Sequence, residues 1–276
     1  MKLYDTLYHS VLERAKTTTV ELIHIGISYT AVCTSDGGSG IAFTFLSEHE
    51  SCTVVKDPMD YEGKSAQGLL DLLFSTEIVE RSAALALVNA LNFFKAKEMP
   101  GDTGTLFRDL HIQRGSNIAM VGYFGPVLRD LKAMDVTVDI LDSSRHLGEK
   151  DTFYKNLRKG EAEALILTST SIINKTTEEI LDNLPAGTPC VMLGPTTPMI
   201  PESFSHLPVT ILAGTVPVDI DGVLAAIRHG KGTPVIQKSC RKVYTTVQPP
   251  QQQEAAAAGL DYYSAENIRD GSDRGR

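Results

Sequence analysis

The sequence predicts a mixed protein of the α+β and α/β classes: an α+β domain followed by an α/β domain built on a parallel sheet. Two patterns carry this prediction. The first hundred residues combine helical periodicity with a glycine-broken hairpin pattern, whereas short apolar strands alternate with helices from about residue 116 onward. The 276 residues are 42% hydrophobic and 22% charged, which is typical of a globular protein with a substantial core.

The α+β domain is expected over residues 1–101. Apolar residues recur at every fourth position from Leu3 to Ala15, which predicts an amphipathic helix that needs a sheet to cover. β-Branched and aromatic runs separated by the turn 36–40 predict antiparallel hairpins. The predicted strands are 20–29, 30–34 and 41–46, and the predicted helices that follow are 66–74 and 78–97.

A connector over residues 102–115 separates this part from the α/β domain, which is expected over 116–247. The predicted strands are 117–122, 136–141, 164–168, 189–194 and 209–213, and the predicted helices are 127–133, 152–157, 176–184 and 218–228. This alternation indicates right-handed crossovers and a sheet covered on both faces. Residues 242–247 fit an edge strand, and residues 248–276, rich in Gln, Ala and charge, fit a mobile tail.

Charge and cysteine content exclude several classes of protein. A net charge of -8 argues against a nucleic-acid partner, which requires a basic face. No apolar run reaches the ~18 to 20 residues of a membrane span, and the N-terminus lacks a signal-peptide core, so we expect a cytoplasmic protein with no membrane partner. The four cysteines are scattered without a C-x-x-C pair, which is typical of free thiols in a reducing compartment.

Polar loops follow three of the predicted strands, and ligands bind beyond the carboxyl ends of strands in open parallel sheets. The first loop holds Gly122, Gly125 and Pro126, without a complete dinucleotide fingerprint. It fits either an anion site at a helix start or a tight turn that binds nothing. Asp142, at the end of the next strand, is placed like the acid that holds a ribose, although aspartate there is also a common cap.

The second loop carries Thr168, Ser169, Asn174 and Lys175, which place hydroxyl, amide and amine groups around one helix start. Thr176 fits a helix cap, with Glu179 completing a capping box. A lysine at a helix N-terminus opposes the helix dipole, so we expect the Lys175 ammonium to contact an anion.

The third loop is Gly194-Pro195-Thr196-Thr197-Pro198. Two prolines reduce its conformational freedom, which suits either a preorganised ligand loop or a purely structural turn.

Metal ligands are sparse in the sequence. Glu48, His49, Glu50 and Cys52 form the densest group, yet alternation along a strand would send His49 and Glu50 to opposite faces. The remaining histidines show no metal-binding spacing, and no P-loop or nucleophile elbow is present.

The residues resemble a family of bacterial and archaeal proteins of unknown activity whose suggested role is heavy-metal chelation. The resemblance covers about residues 1–247 and lies in Leu87-Val88-Asn89-Ala90, Val121-Gly122-Tyr123-Phe124, Asn174-Lys175-Thr176, Leu193-Gly194-Pro195-Thr196-Thr197-Pro198 and the stretch from Leu212 to Asp219. It implies an enolase N-terminal-like domain, a Rossmann-like domain and a site in the cleft between them. It also brings in Asn89 as a residue that reaches the cleft, and a glycine-rich hairpin at 36–40 that either closes over the site or is a plain turn.

We therefore expect an interdomain cleft that binds a small anionic or metal-chelating molecule, with no catalytic residue assigned. Its expected lining residues are Asn89, Gly122, Asp142, Thr168, Ser169, Asn174, Lys175, Gly194, Thr196, Thr197 and Asp219. One function class handles a metal ion or a metal–organic complex; the other is a transferase or lyase with a nucleotide-like cofactor such as S-adenosylmethionine. The missing nucleotide fingerprint favours the first class, and the choice between monomer and homodimer stays open.

Overall fold

The computed structural model describes residues 2–46, 60–101 and 104–248. We call residues 2–101 the N-terminal unit and residues 104–248 the C-terminal unit. The N-terminal unit contains α1 (Lys2–Thr17), β1 (Val20–Ile25), β2 (Tyr29–Thr34), β3 (Ser39–Phe43), α2 (Ala66–Asp71), α3 (Ile78–Leu91) and α4 (Phe93–Glu98). Its strands form an antiparallel sheet in the order β1-β2-β3, as the hairpin pattern predicts.

Close packing of α3 on this sheet depends on Gly40 in β3. A methyl group at this position would lie 2.2 Å from the backbone nitrogen of Ala90 and 2.4 Å from the carbonyl oxygen of Ala86. Such distances are far below van der Waals contact, so only glycine lets the strand lie directly on the helix. On the other side of the unit, α1 buries the predicted apolar stripe from Leu3 to Ala15.

The C-terminal unit contains β4 (Asn117–Val121), β5 (Thr137–Leu141), β6 (Ala164–Thr168), β7 (Cys190–Leu193), β8 (Ile211–Pro217) and β9 (Cys240–Thr246). Its helices are α5 (Leu106–Asp109), α6 (Gly125–Ala133), α7 (Lys150–Arg158), α8 (Thr170–Ile173), α9 (Thr177–Leu181), α10 (Pro201–Phe204), α11 (Ile220–Arg228) and α12 (Thr233–Ile236).

The six strands are ordered β5-β4-β6-β7-β8-β9, parallel except for the antiparallel edge strand β9. The order reverses between β4 and β6, because the chain first steps outward to β5 and then crosses back over β4. The predicted fold class is confirmed: a parallel-dominated sheet and a small antiparallel sheet in one mixed α/β chain.

One predicted helix is broken and another is shortened in the structure. The segment predicted as one helix over 78–97 breaks at Asn92, whose side-chain amide donates to the carbonyl of Met199 at 2.6 Å. The segment predicted over 176–184 is helical only from Thr177 to Leu181, and the Thr176 side chain makes no capping bond, which corrects the capping-box expectation. At Asn92 a contact with a distant segment of the chain coincides with the break in the periodic pattern.

The two units share apolar packing. One hydrophobic cluster includes Leu3 and Leu87 of the N-terminal unit together with Leu165 and Met192 of the C-terminal sheet. In the part of the chain that the structure describes, no helix is long and apolar enough to cross a membrane.

Candidate functional site

The strand order reverses between β4 and β6, and the loops after these two strands meet at this switch point of the sheet. Gly122 follows β4 with a φ of 92°, and a methyl group there would lie 2.8 Å from Cβ of Thr168. Both the positive φ and the close approach require glycine. In a doubly wound sheet, ligands bind at this position. The sequence analysis placed Gly122 and Thr168 at the same edge of the sheet, where the strands end. The structure brings these two residues together.

Ser169 supplies the most informative atom at this edge. Its side chain is 1% exposed, and its hydroxyl oxygen has no hydrogen-bond partner among the residues that the structure describes. The hydroxyl lies against Gly194, where a methyl group would be 2.8 Å from the Ser169 oxygen. A buried hydroxyl without a partner costs about 1 to 3 kcal/mol, so this oxygen is a candidate contact for a bound molecule.

Tyr123 and Arg145 pair beside these loops; the sequence analysis named Tyr123 only within a stretch that resembles the family and did not single out Arg145. Tyr123 is 44% exposed, and its ring packs over Gly125, the first residue of α6. A methyl group added at Gly125 would lie 3.6 Å from the ring. The Arg145 guanidinium carbon lies 4.4 Å from the centre of this ring. The N-terminus of α6 has no side-chain cap, and its positive dipole end lies near the Tyr123 ring that the Arg145 guanidinium also contacts. Only the pairing in space reveals this arrangement.

Two predicted acids act as caps. Asp142 accepts from the backbone nitrogen of Arg145 at 3.1 Å and from the Ser144 hydroxyl at 2.6 Å. Asp219 accepts from the backbone nitrogen of Gly222 at 3.0 Å and opens α11. The structure thus shows that Asp142 acts as a cap. Through these bonds Asp142 also holds the backbone that carries Arg145.

The loop from Gly194 to Pro198 joins the two units. The Thr196 hydroxyl accepts from the backbone nitrogen of Phe43 at 2.9 Å, and the Thr197 hydroxyl donates to the carbonyl of Gly194 at 2.8 Å. Asn89 donates to the carbonyls of Ile41 at 2.9 Å and Thr196 at 3.2 Å. The cavity left beside Asn89 and Thr197 measures about 10 Å³, room for a single water molecule. Asn89 and Thr196 therefore use their polar atoms to hold the two units together, whereas Thr197 ties its own loop to β8 within the C-terminal unit.

Lys175 also faces the N-terminal unit. It has a φ of 60°, and its ammonium donates to the carbonyl of Ser75 at 3.3 Å and lies 5.6 Å from the centre of the Tyr4 ring. Burial and the neighbouring positive charge of Arg81 lower the pKa of Lys175. Asn174, next to it, is exposed to solvent. The anion expected at Lys175 is replaced here by a carbonyl oxygen and an aromatic face.

The described residues do not fit a bare heavy-metal ion. Among them, no three His, Cys, Asp or Glu side chains cluster closely enough to hold a metal. The Cys190 thiol is fully enclosed, and burial raises its pKa, which opposes the thiolate form that metals require. The group at Glu48, His49, Glu50 and Cys52 lies outside the described residues.

The fold therefore defines a Rossmann-like α/β protein whose sheet reverses its strand order between β4 and β6, with a smaller α+β unit packed against it. The chain belongs to the family described as "Putative heavy-metal chelation": two family models with this description match residues 106–246 and 8–92.

The relatives are themselves uncharacterised. The chain is 26% identical over 212 residues to an uncharacterized protein of Methanocaldococcus jannaschii, covering 75% of this chain and 80% of that protein. A protein of unknown function from Pyrococcus horikoshii superposes with a TM-score of 0.72 at 23% identity, covering 89% of this chain and 100% of that one. A second protein of unknown function, from Desulfitobacterium hafniense, superposes with a TM-score of 0.70 at 17% identity. This match covers 88% of this chain and 97% of that one. These likenesses show a shared fold.

Proposed function

We propose that this protein binds a small anionic ligand in a crevice formed by the strand-end loops after β4, β6 and β7, and that a heavy metal reaches it as a complex with such a ligand. The observation that carries the proposal is the buried, unpartnered hydroxyl of Ser169, which follows β6 and lies against Gly194 in the loop after β7. A site of this kind is the usual ligand position in open α/β sheets.

The charges around the crevice favour an anion. Arg145 is exposed and pairs with the ring of Tyr123 rather than with a carboxylate of the described chain. The uncapped start of α6 adds backbone N–H groups and a positive dipole end beside the same ring. Asp142, the acid nearest in sequence to Arg145, already accepts two hydrogen bonds within its own turn.

A preference for anions reconciles the family description with the described residues, among which no cluster of metal-ligating side chains occurs. A chelator such as a hydroxycarboxylate wraps the metal in its own oxygens and presents a net negative charge. The protein then needs hydrogen-bond donors and a cation rather than thiolates and imidazoles. The enzyme alternative, with a nucleotide-like cofactor, has less support, because the Asp142 carboxylate that would hold a ribose serves as a cap.

The test begins with native mass spectrometry and metal analysis of freshly purified protein, which separates a bound metal complex from a bound nucleotide. Calorimetric titration with phosphate, citrate and nickel citrate follows, on the wild type and on Ser169→Ala and Arg145→Gln. We expect each variant to weaken binding by about 1 to 3 kcal/mol. Arg145→Gln should keep the wild-type melting temperature, and Ser169→Ala should melt at or above it, because it removes a buried hydroxyl without a partner in the described structure. Arg114→Gln, an exposed arginine paired with Asp135 at 3.4 Å, is the matched control and should bind normally. Unchanged affinity in both crevice variants, or tight binding of S-adenosylmethionine alone, would overturn the proposal.

A further inference from the structure

A second concave surface lies between the turn of the β1–β2 hairpin and the C-terminal end of α11. We call it the hairpin groove; it is lined by Ile25, Ile27, Leu46, His24, Arg228 and His229, among others. Its volume is about 700 Å³, within the range of roughly 300 to 1,000 Å³ that small-molecule sites occupy. It shares no residue with the crevice at Gly122 and Ser169.

The walls of the hairpin groove are fixed by two close contacts between the units. A methyl group at Gly26 would lie 2.5 Å from Cγ2 of Ile227, so the hairpin rests directly on α11. Gly230 ends that helix with a φ of 63°, and a methyl group there would lie 2.8 Å from Cδ1 of Ile27. Because both walls are held by such contacts, the groove is formed before any ligand arrives, which lowers the entropic cost of binding.

The floor of the hairpin groove is apolar and open to solvent. Ile25 is 37% exposed, Leu46 is 48% exposed and Ile27 is 69% exposed. Grouped apolar side chains that stay in water mark binding surfaces more often than single ones do.

Among the described residues, the charged and titratable groups of the rim are all basic, although the chain as a whole has a net charge of -8. The described lining includes Arg228 and the imidazoles of His24 and His229, and no carboxylate belongs to it. Arg228 forms no ion pair with any residue that the structure describes. Its guanidinium is therefore available to an incoming anion.

These basic side chains are not needed to complete the end of α11. The carbonyl of Ala226 accepts from the backbone nitrogen of Lys231 at 2.9 Å, and that of Ile227 accepts from Gly230 at 2.9 Å. Backbone groups thus satisfy the last turn of the helix, as in other glycine-terminated helices.

We propose that the hairpin groove binds a small amphiphilic carboxylate, with the alkyl chain on Ile25, Ile27 and Leu46 and the carboxylate at Arg228 and the two histidines. Charge complementarity selects this ligand class, because an apolar floor whose described rim carries Arg228 and two imidazoles matches a molecule that is apolar at one end and anionic at the other. The site is independent of the crevice, since the two have no lining residue in common.

Calorimetric titration of the full chain with decanoate tests this proposal, with butyrate and decanol as ligands that lack the chain or the charge. Decanoate should bind at least tenfold more tightly than either. Arg228→Gln should raise the dissociation constant for decanoate roughly tenfold, and Ile27→Ser should do the same through lost apolar contact. Arg114→Gln should leave the dissociation constant for decanoate unchanged. All three variants should have the melting temperature of the wild type. If Ile27→Ser melts at a lower temperature, Leu46→Ser takes its place.

Three results would contradict the proposal. No saturable heat with decanoate, or decanol binding as tightly as decanoate, would show that the groove does not recognise an amphiphilic anion. Equal affinities in wild type, Arg228→Gln and Ile27→Ser would place decanoate elsewhere on the protein. A dimer that dissociates in Ile27→Ser would show that a second copy of the chain covers this floor.

Discussion

Asn89 donates its side-chain amide to the carbonyl of Thr196 at 3.2 Å and so joins α3 of the N-terminal unit to the loop after β7. The same amide donates to the carbonyl of Ile41 at 2.9 Å. One side chain thus ties a helix, a strand and the loop of the other unit, which makes it a structural element of the interface.

We expect Asn89→Ala to lower the free energy of unfolding by about 1 to 3 kcal/mol, because two carbonyls lose their donor in a closed interface. Urea unfolding followed by circular dichroism measures the change. Asn174→Ala is the matched control, since Asn174 is exposed, and it should unfold like the wild type. If both variants are equally stable, Asn89 does not hold the units together.

Gly40→Ala should be far more damaging than an ordinary glycine substitution. The added methyl group would stand 2.2 Å from the backbone of Ala90, and neither the strand nor the helix can yield without breaking its own hydrogen bonds. We expect a loss of at least about 2 kcal/mol in unfolding free energy. Gly232→Ala, where nothing lies within 4 Å, should change it by less than about 0.5 kcal/mol. A Gly40→Ala protein that melts with the wild type would contradict the close packing of β3 on α3.

Lys175→Ala should lower stability by about 1 kcal/mol, because the ammonium loses its bond to Ser75 and its position over the Tyr4 ring. Lys175→Gly should be more stable than Lys175→Ala, since glycine accepts a φ of 60° without strain. Thermal melts of both variants, with exposed Lys155→Ala as control, measure these differences. The same proteins test the expectation drawn from sequence: weaker phosphate binding in Lys175→Ala would place this amine in the ligand site.

Two tyrosines between the units predict a loss of stability in alkali. Burial raises the pKa of Tyr4 and of Tyr29 from 10.0 to about 12; the Tyr4 hydroxyl donates to the carbonyl of Ile172, and the Tyr29 hydroxyl lies 2.7 Å from that of Thr233. The unfolded chain ionises first, so the stabilisation is complete below pH 10.0 and is lost as the pH rises through about 12. Each tyrosine accounts for about 2 to 3 kcal/mol of this loss.

Urea unfolding at a series of pH values from neutral to strongly alkaline measures this effect. In Tyr4→Phe the unfolding free energy should fall less steeply with pH over this range than in the wild type. The difference should equal the contribution of one tyrosine, about 2 to 3 kcal/mol. Tyr123→Phe removes an exposed hydroxyl and should keep the wild-type slope. Identical slopes in all three proteins would mean that Tyr4 is not buried as described.

The sequence by itself determined the fold class and the strands of the parallel sheet. Apolar runs such as 164–168 coincide with β6, because a strand buried on both faces must be apolar throughout. The sequence also placed Gly122 and Thr168 at strand ends, since the carboxyl edge of a parallel sheet follows from strand and helix alternation alone.

Only the tertiary structure decided what those polar residues do. Thr196 and Asn89 look alike as ligand residues or as interface residues until their partners are known, and those partners lie on distant segments of the chain. The structure likewise broke the predicted helix at Asn92 through a bond to Met199, 107 positions away. Arg145 and Tyr123, or the floor and rim of the hairpin groove, become neighbours only when distant segments fold together. Local sequence determines secondary structure through short-range sterics and periodicity, whereas a site depends on contacts between segments far apart in the chain.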